Sequence, residues 1–272
     1  MTRLESDYYA YMGYDPEHSK AGLAHYVPYF RTGPVLELAC GRGELLELLR
    51  DAGVEAEGVD LDEGMVEAAV QAGLSVTLGD ALADLAARPD GSLQGVFSAH
   101  FVEHLEPDVL ERMVAESARV LAPGGVFVAA TPNAGCLSVL GYDFWRDPTH
   151  VRPYEPRLLA FYCAKAGLEV VELGENPANR GGPPPETIAP PVRVDADLRL
   201  DLANAINLAH DPQGLGLPHT DSPWHRFGHF IAVLEERLRA TQEELAAVRR
   251  SYAQLLDRLY PSNEVYVVAR AR

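Results

Sequence analysis

The sequence predicts an α/β fold: an open, mostly parallel seven-stranded sheet with helices on both faces. Two observations carry this. Short apolar runs alternate with segments of helical periodicity along 34–174, and glycines or acids punctuate the ends of those runs. A third extends it. The apolar run EVYVVARA (264–271) stands alone near the end of the chain and needs a sheet to join. It is placed as an antiparallel last strand.

The elements follow in order. PVLELA (34–39) reads as a buried strand and GELLELLRDAG (43–53) as a helix with a glycine stop. VEAEGVD (54–60) is a second strand, EGMVEAAVQAG (63–73) a second helix, and SVTLGD (75–80) a third strand. LQGVFSA (93–99) is a fourth strand, followed by a long helix over 107–125 that exits through Pro-Gly-Gly. VFVAATP (126–132), the helix 156–167 and the strand LEVVELG (168–174) complete the alternation. Such alternation implies parallel strands joined by helical crossovers.

Five segments result: an N-terminal helical cap (1–32), a core (33–174), a Pro/Gly-rich linker with a short helix (175–222), a long helix (223–260) and a last strand (263–272). NPANRGGPPPETIAPP (176–191) reads as linker or loop rather than a packed element. Ser222 and Pro223 suit the start of the long helix. Within it, Phe227, Ile231, Leu234, Leu238, Thr241, Leu245, Val248, Tyr252, Leu255 and Leu259 step by four and three throughout. That 3.5-residue period makes a coiled-coil-like seam, packed either along its own domain or against another copy in a homo-oligomer.

Totals narrow the function. The chain has 272 residues, is 47% hydrophobic and carries a formal charge of −17. It can bury a full core, and its surface repels polyanions, which makes nucleic acid an unfavoured partner. No apolar run is long enough to span a membrane. MTRLESDYYA lacks the pattern of an export signal, and Cys40, Cys136 and Cys163 show no paired spacing. A cytoplasmic setting is expected.

Chemistry gathers at the predicted strand ends, where open parallel sheets bind ligands. ELACGRG (37–43) turns the first strand into the first helix; Gly41 and Gly43 permit close backbone approach. Leu46 stands where a dinucleotide fingerprint needs its third glycine. Glu37, Asp60 and Asp80 mark three successive strands, with Asp62 just beyond the second. An acid after the second strand can accept both hydroxyls of a ribose.

ELACGRG, GVDLD (58–62), LGDAL (78–82) and RVLAPGG (119–125), in this order, resemble the class I S-adenosylmethionine-dependent methyltransferases, a Rossmann-like family. The resemblance covers about 34–174. It implies that Glu37, Ala39, Gly41 and Gly43 line the methionine side of the donor. Asp60 then holds the ribose, Leu61 meets the adenine face, and Asp80 and Ala81 meet its edge. His100 lies near the sulfonium. Ala39 replaces the family's usual first glycine, so the turn there is expected to keep a negative φ.

HFVEHLEP (100–107) places His100, Glu103 and His104 at i, i+3 and i+4. With TPN (131–133) and His150 this is similar to the metal cluster of a small-RNA 2′-O-methyltransferase family, His100 replacing that family's first glutamate. The similarity implies a divalent ion on His100, Glu103, His104 and His150. A pocket shaped by these residues without metal stays open. FWRDPTHVRPYEPRLLAFYCAKAGLEVVE resembles methyltransferases of bacterial surface-polysaccharide (O-antigen) pathways, as do YYAYMGYDPEHSKAGLAHYVPYF and SYAQLLDRLYPSNEVYVVARAR.

That resemblance implies O-methylation of a sugar or glycan-derived acceptor, with His104 and His150 as the catalytic acceptor-side residues. Prolines stiffen the loop that carries His150; the other reading is that His150 only braces this loop. Arg146 and Arg152 could engage an anionic acceptor. Tyr8, Tyr9, Tyr11 and Tyr14 form either an aromatic lid or a packed helix. Three other readings remain: a small-molecule natural-product O-methyltransferase, a metal-dependent RNA 2′-O-methyltransferase, and a non-enzymatic spacer built on the long helix.

Overall fold

The computed structural model describes residues 3–179 and 223–272. The chain divides into two units, Met1–Gly182 with Leu259–Arg272, and Pro183–Arg258. The first contains the sheet.

Its strands are β1 (Val35–Leu38), β2 (Ala56–Asp60), β3 (Val76–Leu78), β4 (Leu93–Ala99), β5 (Leu121–Pro132), β6 (Glu169–Glu175) and β7 (Glu264–Arg270). Their spatial order is β3-β2-β1-β4-β5-β7-β6. β7 runs antiparallel to both β5 and β6, as the isolated terminal run predicts, and the pairs among β1 to β5 are parallel. Strand order reverses beside β1, the place where open sheets bind ligands, and Asp60, His100 and Pro132 emerge at its carboxyl edge.

Period-two alternation divides the core. Leu36, Leu38, Phe127, Ala129, Val267 and Ala269 join one buried cluster, packed with Leu110, Met113 and Val114 of the helix Pro107–Val120. Val35, Val126, Val128, Tyr266 and Val268 join the other, with Leu45 and Leu49 of the helix Glu44–Asp51. Successive residues point to opposite faces, so both faces must be covered. β7 lies between two strands, and Glu264 to Ala269 are all buried.

Helices α1 (Leu4–Met12), α2 (Pro16–Leu23), α3 (Glu44–Asp51), α4 (Glu63–Gln71), α5 (Ala81–Ala87), α6 (Pro107–Val120), α7 (Leu137–Gly141) and α8 (Pro156–Lys165) complete the unit. α6 buries Leu110, Met113, Val114, Ser117 and Val120, one stripe at helical spacing. It stops at Val120 rather than at the expected residue 125. Pro123 excludes helical backbone at Ala122, and Leu121 is already extended (ψ 130°) and paired with Leu93. β5 therefore begins five residues early.

Residues 176–179 also depart from the expected loop. Asn176 is fully buried, and its amide donates to Glu264 at 2.6 Å and to the Gly22 carbonyl at 3.1 Å. A short turn, Pro177–Asn179, follows. The remaining linker, its short helix and Ser222 lie outside the described residues.

The second unit contributes the long helix Pro223–Leu259, about 55 Å at 1.5 Å per residue. Leu238, Val248, Leu255 and Leu259 of the seam are exposed in the single chain; the side chains of Phe227 and Ile231 lie outside the described residues. Among the described residues no helix is long and apolar enough to cross a membrane. Cys40, Cys136 and Cys163 are free and buried.

Candidate functional site

The turn after β1 approaches the end of β2 through hydrogen bonds. Asp60, only 3% exposed, accepts the Gly41 N–H at 2.8 Å on one oxygen and the Asp62 N–H at 2.8 Å on the other. The carboxylate thus ties the two loops together. A Cβ built on Gly41 meets nothing within 4 Å, so space opens beside this backbone. Ala39 has φ +51°, contrary to the expected negative value. Its neighbours are fixed: Leu38 is strand and the Cys40 N–H bonds to the Val59 carbonyl at 3.1 Å. The left-handed turn is imposed and the alanine methyl bears the strain.

Glu37 is buried at the end of β1, and one of its oxygens has no hydrogen-bond partner. Burial, then repulsion from Glu44 and Asp60, pushes its carboxyl well above the usual range. An orphaned buried oxygen beside an open backbone suits a ligand that brings donors.

Asp62 is committed elsewhere. One oxygen caps α4 through the N–H groups of Gly64 and Met65 at 2.9 and 3.1 Å. The other accepts the N–H groups of Glu5 and Ser6 at 3.1 and 3.3 Å. α1 has no side-chain cap of its own, so Asp62 supplies one from 57 residues away. Burial opposes the Asp62 charge, yet these donors hold its carboxyl below the usual range. Asp80 is exposed, with one oxygen capping α5 at Ala83 N (2.8 Å), next to buried Ala81. Leu61 is 60% exposed.

A second group of side chains follows β4. His100 has φ +52°, and its ring bridges two carboxylates: Nε2 to Glu264 at 2.7 Å and Nδ1 to Glu103 at 3.4 Å. Desolvation opposes protonation, but the hydrogen bonds and attraction from Glu103 and Glu264 outweigh it. The imidazole is held well above its usual range. Glu264 in turn accepts from the Tyr26 hydroxyl and the Asn176 amide. Burial would raise its carboxyl, yet His100, Tyr26 and Asn176 keep it below the usual range.

Glu103 is fully buried. Thr131 Oγ1 donates to Oε2 at 3.0 Å, while Oε1 faces the His100 ring at 3.4 Å. Glu103, His104 and His150 each offer a ligand atom within 4.8 Å of the others. The surroundings set both tautomers. His150 Nδ1 donates to the Phe144 carbonyl at 2.6 Å, which leaves Nε2 bare, 4.0 Å from Glu103 Oε1. Thr149 donates its hydroxyl to Asp147, so it accepts from His104 Nδ1 at 2.8 Å and His104 Nε2 is bare. The loop holding His150 is built rather than open: Cys136, Val139 and Phe144 form their own buried cluster, and the Val151 N–H bonds the Glu103 carbonyl at 2.9 Å.

A family model described as a methyltransferase domain matches residues 10–173, more than half of the chain. The chain belongs to this family. A SAM dependent methyltransferase from Archaeoglobus fulgidus has the same fold, with a TM-score of 0.64, 26% identity and 97% of each chain covered. A probable S-adenosylmethionine-dependent methyltransferase of Mycolicibacterium smegmatis is 35% identical over 160 residues, 54% of this chain and 60% of that protein. A ubiquinone biosynthesis O-methyltransferase of Aromatoleum aromaticum is 34% identical over 154 residues, 51% and 65% of the two chains. The methyltransferase domain therefore spans less than two thirds of these curated relatives.

The segments singled out in the sequence of this methyltransferase lie at the carboxyl edge of the sheet. His100 stands apart from the three-residue cluster, because both its nitrogens face carboxylates. Arg146 pairs with Asp143 at 3.6 Å and Arg152 lies over the Tyr154 ring at 5.1 Å. Tyr8, Tyr9 and Tyr14 pack against one another, whereas Tyr11 is 87% exposed. Tyr26, Asn176 and Glu264 were missed. Glu264 at the head of the terminal apolar run was the available signal, since an acid there lands opposite Pro132 in the sheet.

Proposed function

We propose that this chain transfers a methyl group from S-adenosylmethionine to an oxygen of a sugar or glycan-derived acceptor. The observation that carries the reading is the pair of bare imidazole nitrogens on His104 and His150, set at the strand edge that also bears Glu37, Asp60 and Asp80. The donor is cationic at sulfur, and an acid-rich crevice with one orphaned carboxylate oxygen suits it. Glu37, Ala39, Gly41 and Gly43 line its methionine part. Asp60 holds the ribose, Leu61 covers the adenine, and Asp80 and Ala81 meet its edge.

The chemistry demands little more than placement and one proton acceptor. The acceptor O–H loses its proton to an imidazole Nε2, the new O–CH3 bond forms, and the electron pair of the broken S–CH3 bond stays on sulfur. Each imidazole is aligned from behind: His150 by the Phe144 carbonyl, His104 by Thr149 and Asp147. Tyr142 and Trp145 are exposed on the same loop, beside Asp143 and Arg146. Aromatic faces with adjacent charged groups suit a sugar better than a closed apolar pocket suits a small natural product.

A second reading adds a divalent ion. Two bare imidazole nitrogens and Glu103 Oε1, which faces the His100 ring at 3.4 Å, match a two-histidine, one-carboxylate donor set, already backed by outer hydrogen bonds. Such an ion would polarise the acceptor oxygen and replace the need for a strong base.

Methyl transfer to a panel of sugar acceptors tests both readings. His150→Ala and His104→Ala should each lower kcat by about 10²-fold or more, the usual range for a lost general base, with donor binding unchanged. Full activity after exhaustive chelation would remove the metal reading. Full activity of the double variant would remove the base reading.

A further inference from the structure

A cavity of about 630 Å³ lies at the opposite edge of the sheet from the methyltransferase site. Gln94 near the start of β4, Val126 of β5 and Arg270 at the end of antiparallel β7 line it. Five strand steps separate Gln94 from Ala99, so the two edges are about 17 Å apart. The volume falls within the usual range for a small-molecule site.

Its lining is cationic. Arg31, Arg270 and His25 all border it, and no carboxylate does. The chain holds 40 acidic residues against 23 Lys and Arg, and Arg3, Arg42, Arg50, Arg88, Arg119 and Arg146 are each ion-paired. Among the described residues Arg31 and Arg270 have no acidic partner; Arg270 donates only to the Gly124 carbonyl at 3.3 Å. His25 Nε2 is buried without a hydrogen bond. Its ring is fixed edge-on against Tyr26 and Tyr266, each 5.2 Å away. Two acids lie nearby without lining it: Glu172 accepts from the Tyr266 hydroxyl at 2.6 Å, and Glu169 stands across the sheet from Arg270 with no ion pair to it. Pro28, Tyr29, Phe30 and Val126 give the cavity apolar walls.

Two arginines border one space that no carboxylate lines, and the orphaned imidazole nitrogen of His25 is costly; an anion there gains charge-assisted hydrogen bonds and relieves that cost. We infer that this cavity is a second binding site, for a small organic phosphate with an aromatic or apolar body. The guanidinium groups and His25 hold the phosphoryl oxygens, and the Tyr29 and Phe30 rings hold the body.

Phenyl phosphate is the probe, with inorganic phosphate and benzoate alongside, titrated calorimetrically into the full chain. Saturable binding of phenyl phosphate, tighter than either companion, is expected. Arg31→Gln and Arg270→Gln should each weaken it about tenfold, for one lost charge-assisted pair. S-adenosylhomocysteine affinity should stay unchanged in both variants, which checks folding and separates this site from the donor site. Should a variant unfold, amide shifts in the wild-type chain decide: Thr32, Gln94 and Gly124 should move on phenyl phosphate addition. Absence of saturable binding up to about 10 mM, equal binding by the double variant, or amide shifts elsewhere would overturn the inference; the first corresponds to an affinity too weak to matter.

Discussion

At the residue scale, two strained backbones mark the crevice. Ala39 and His100 are the non-glycine residues with positive φ among those described. Ala39 holds its methyl at a left-handed φ, so Ala39→Gly should stabilise the protein by about 1 kcal/mol, the usual left-handed penalty. Thermal denaturation checks this, and an unchanged or lower Tm would show the turn to be unstrained. His100 yields a pH dependence. Its folded pKa is raised, so its contribution is complete below the unfolded value, about 6.5, and is lost as pH rises through the folded value. His100→Gln should lower Tm most at pH 6, and the gap to wild type should narrow in alkali. A gap that widens with pH would reverse the assignment. None of this was legible beforehand: φ follows from how β1 and β4 meet their neighbours, and sequence spacing carries no such information.

At the element scale, Asp62 joins two helix starts that are far apart in sequence. The motif GVDLD showed the acid, and the cap on α4 follows directly from its position before Glu63. The tie to α1 did not, because it depends on where the cap segment folds back. Asp62→Ala should cost about 1–2 kcal/mol, as lost N-caps do, and amide exchange should accelerate most in residues 5–8 and 64–66. Uniform acceleration across the sheet instead would deny Asp62 this local role. Helix ends show the same division. α3 and α8 lie close to the periodicity, whereas α6 stops early because β5 begins pairing at Leu121. Tertiary pairing overrides a continued helix once Pro123 is near.

At the scale of the whole molecule, the alternation of elements gave a mostly parallel seven-stranded sheet with an antiparallel β7 from a distant segment, while the strand order comes from the structure. Each strand's apolar alternation assigns its faces, and one fold satisfies them together. The crevice was half legible. Acids at strand ends and the histidines of 100–104 and 150 are readable one by one. Their sorting is not: His100 bridges Glu264 and Glu103, Tyr26 joins Glu264 from behind, and Glu103 Oε1 also lies 4.0 Å from His150. That sorting requires the terminal strand and Asn176, residues with no motif of their own.

The account rests on the acidic crevice taking up an adenosyl sulfonium. Calorimetric titration of S-adenosylhomocysteine into wild type and Asp60→Asn tests it most directly. Wild type should bind saturably, and Asp60→Asn should bind at least about tenfold more weakly, for loss of a charged hydrogen-bond acceptor. Equal affinity of the two proteins, or no uptake by either at millimolar concentration, would contradict it.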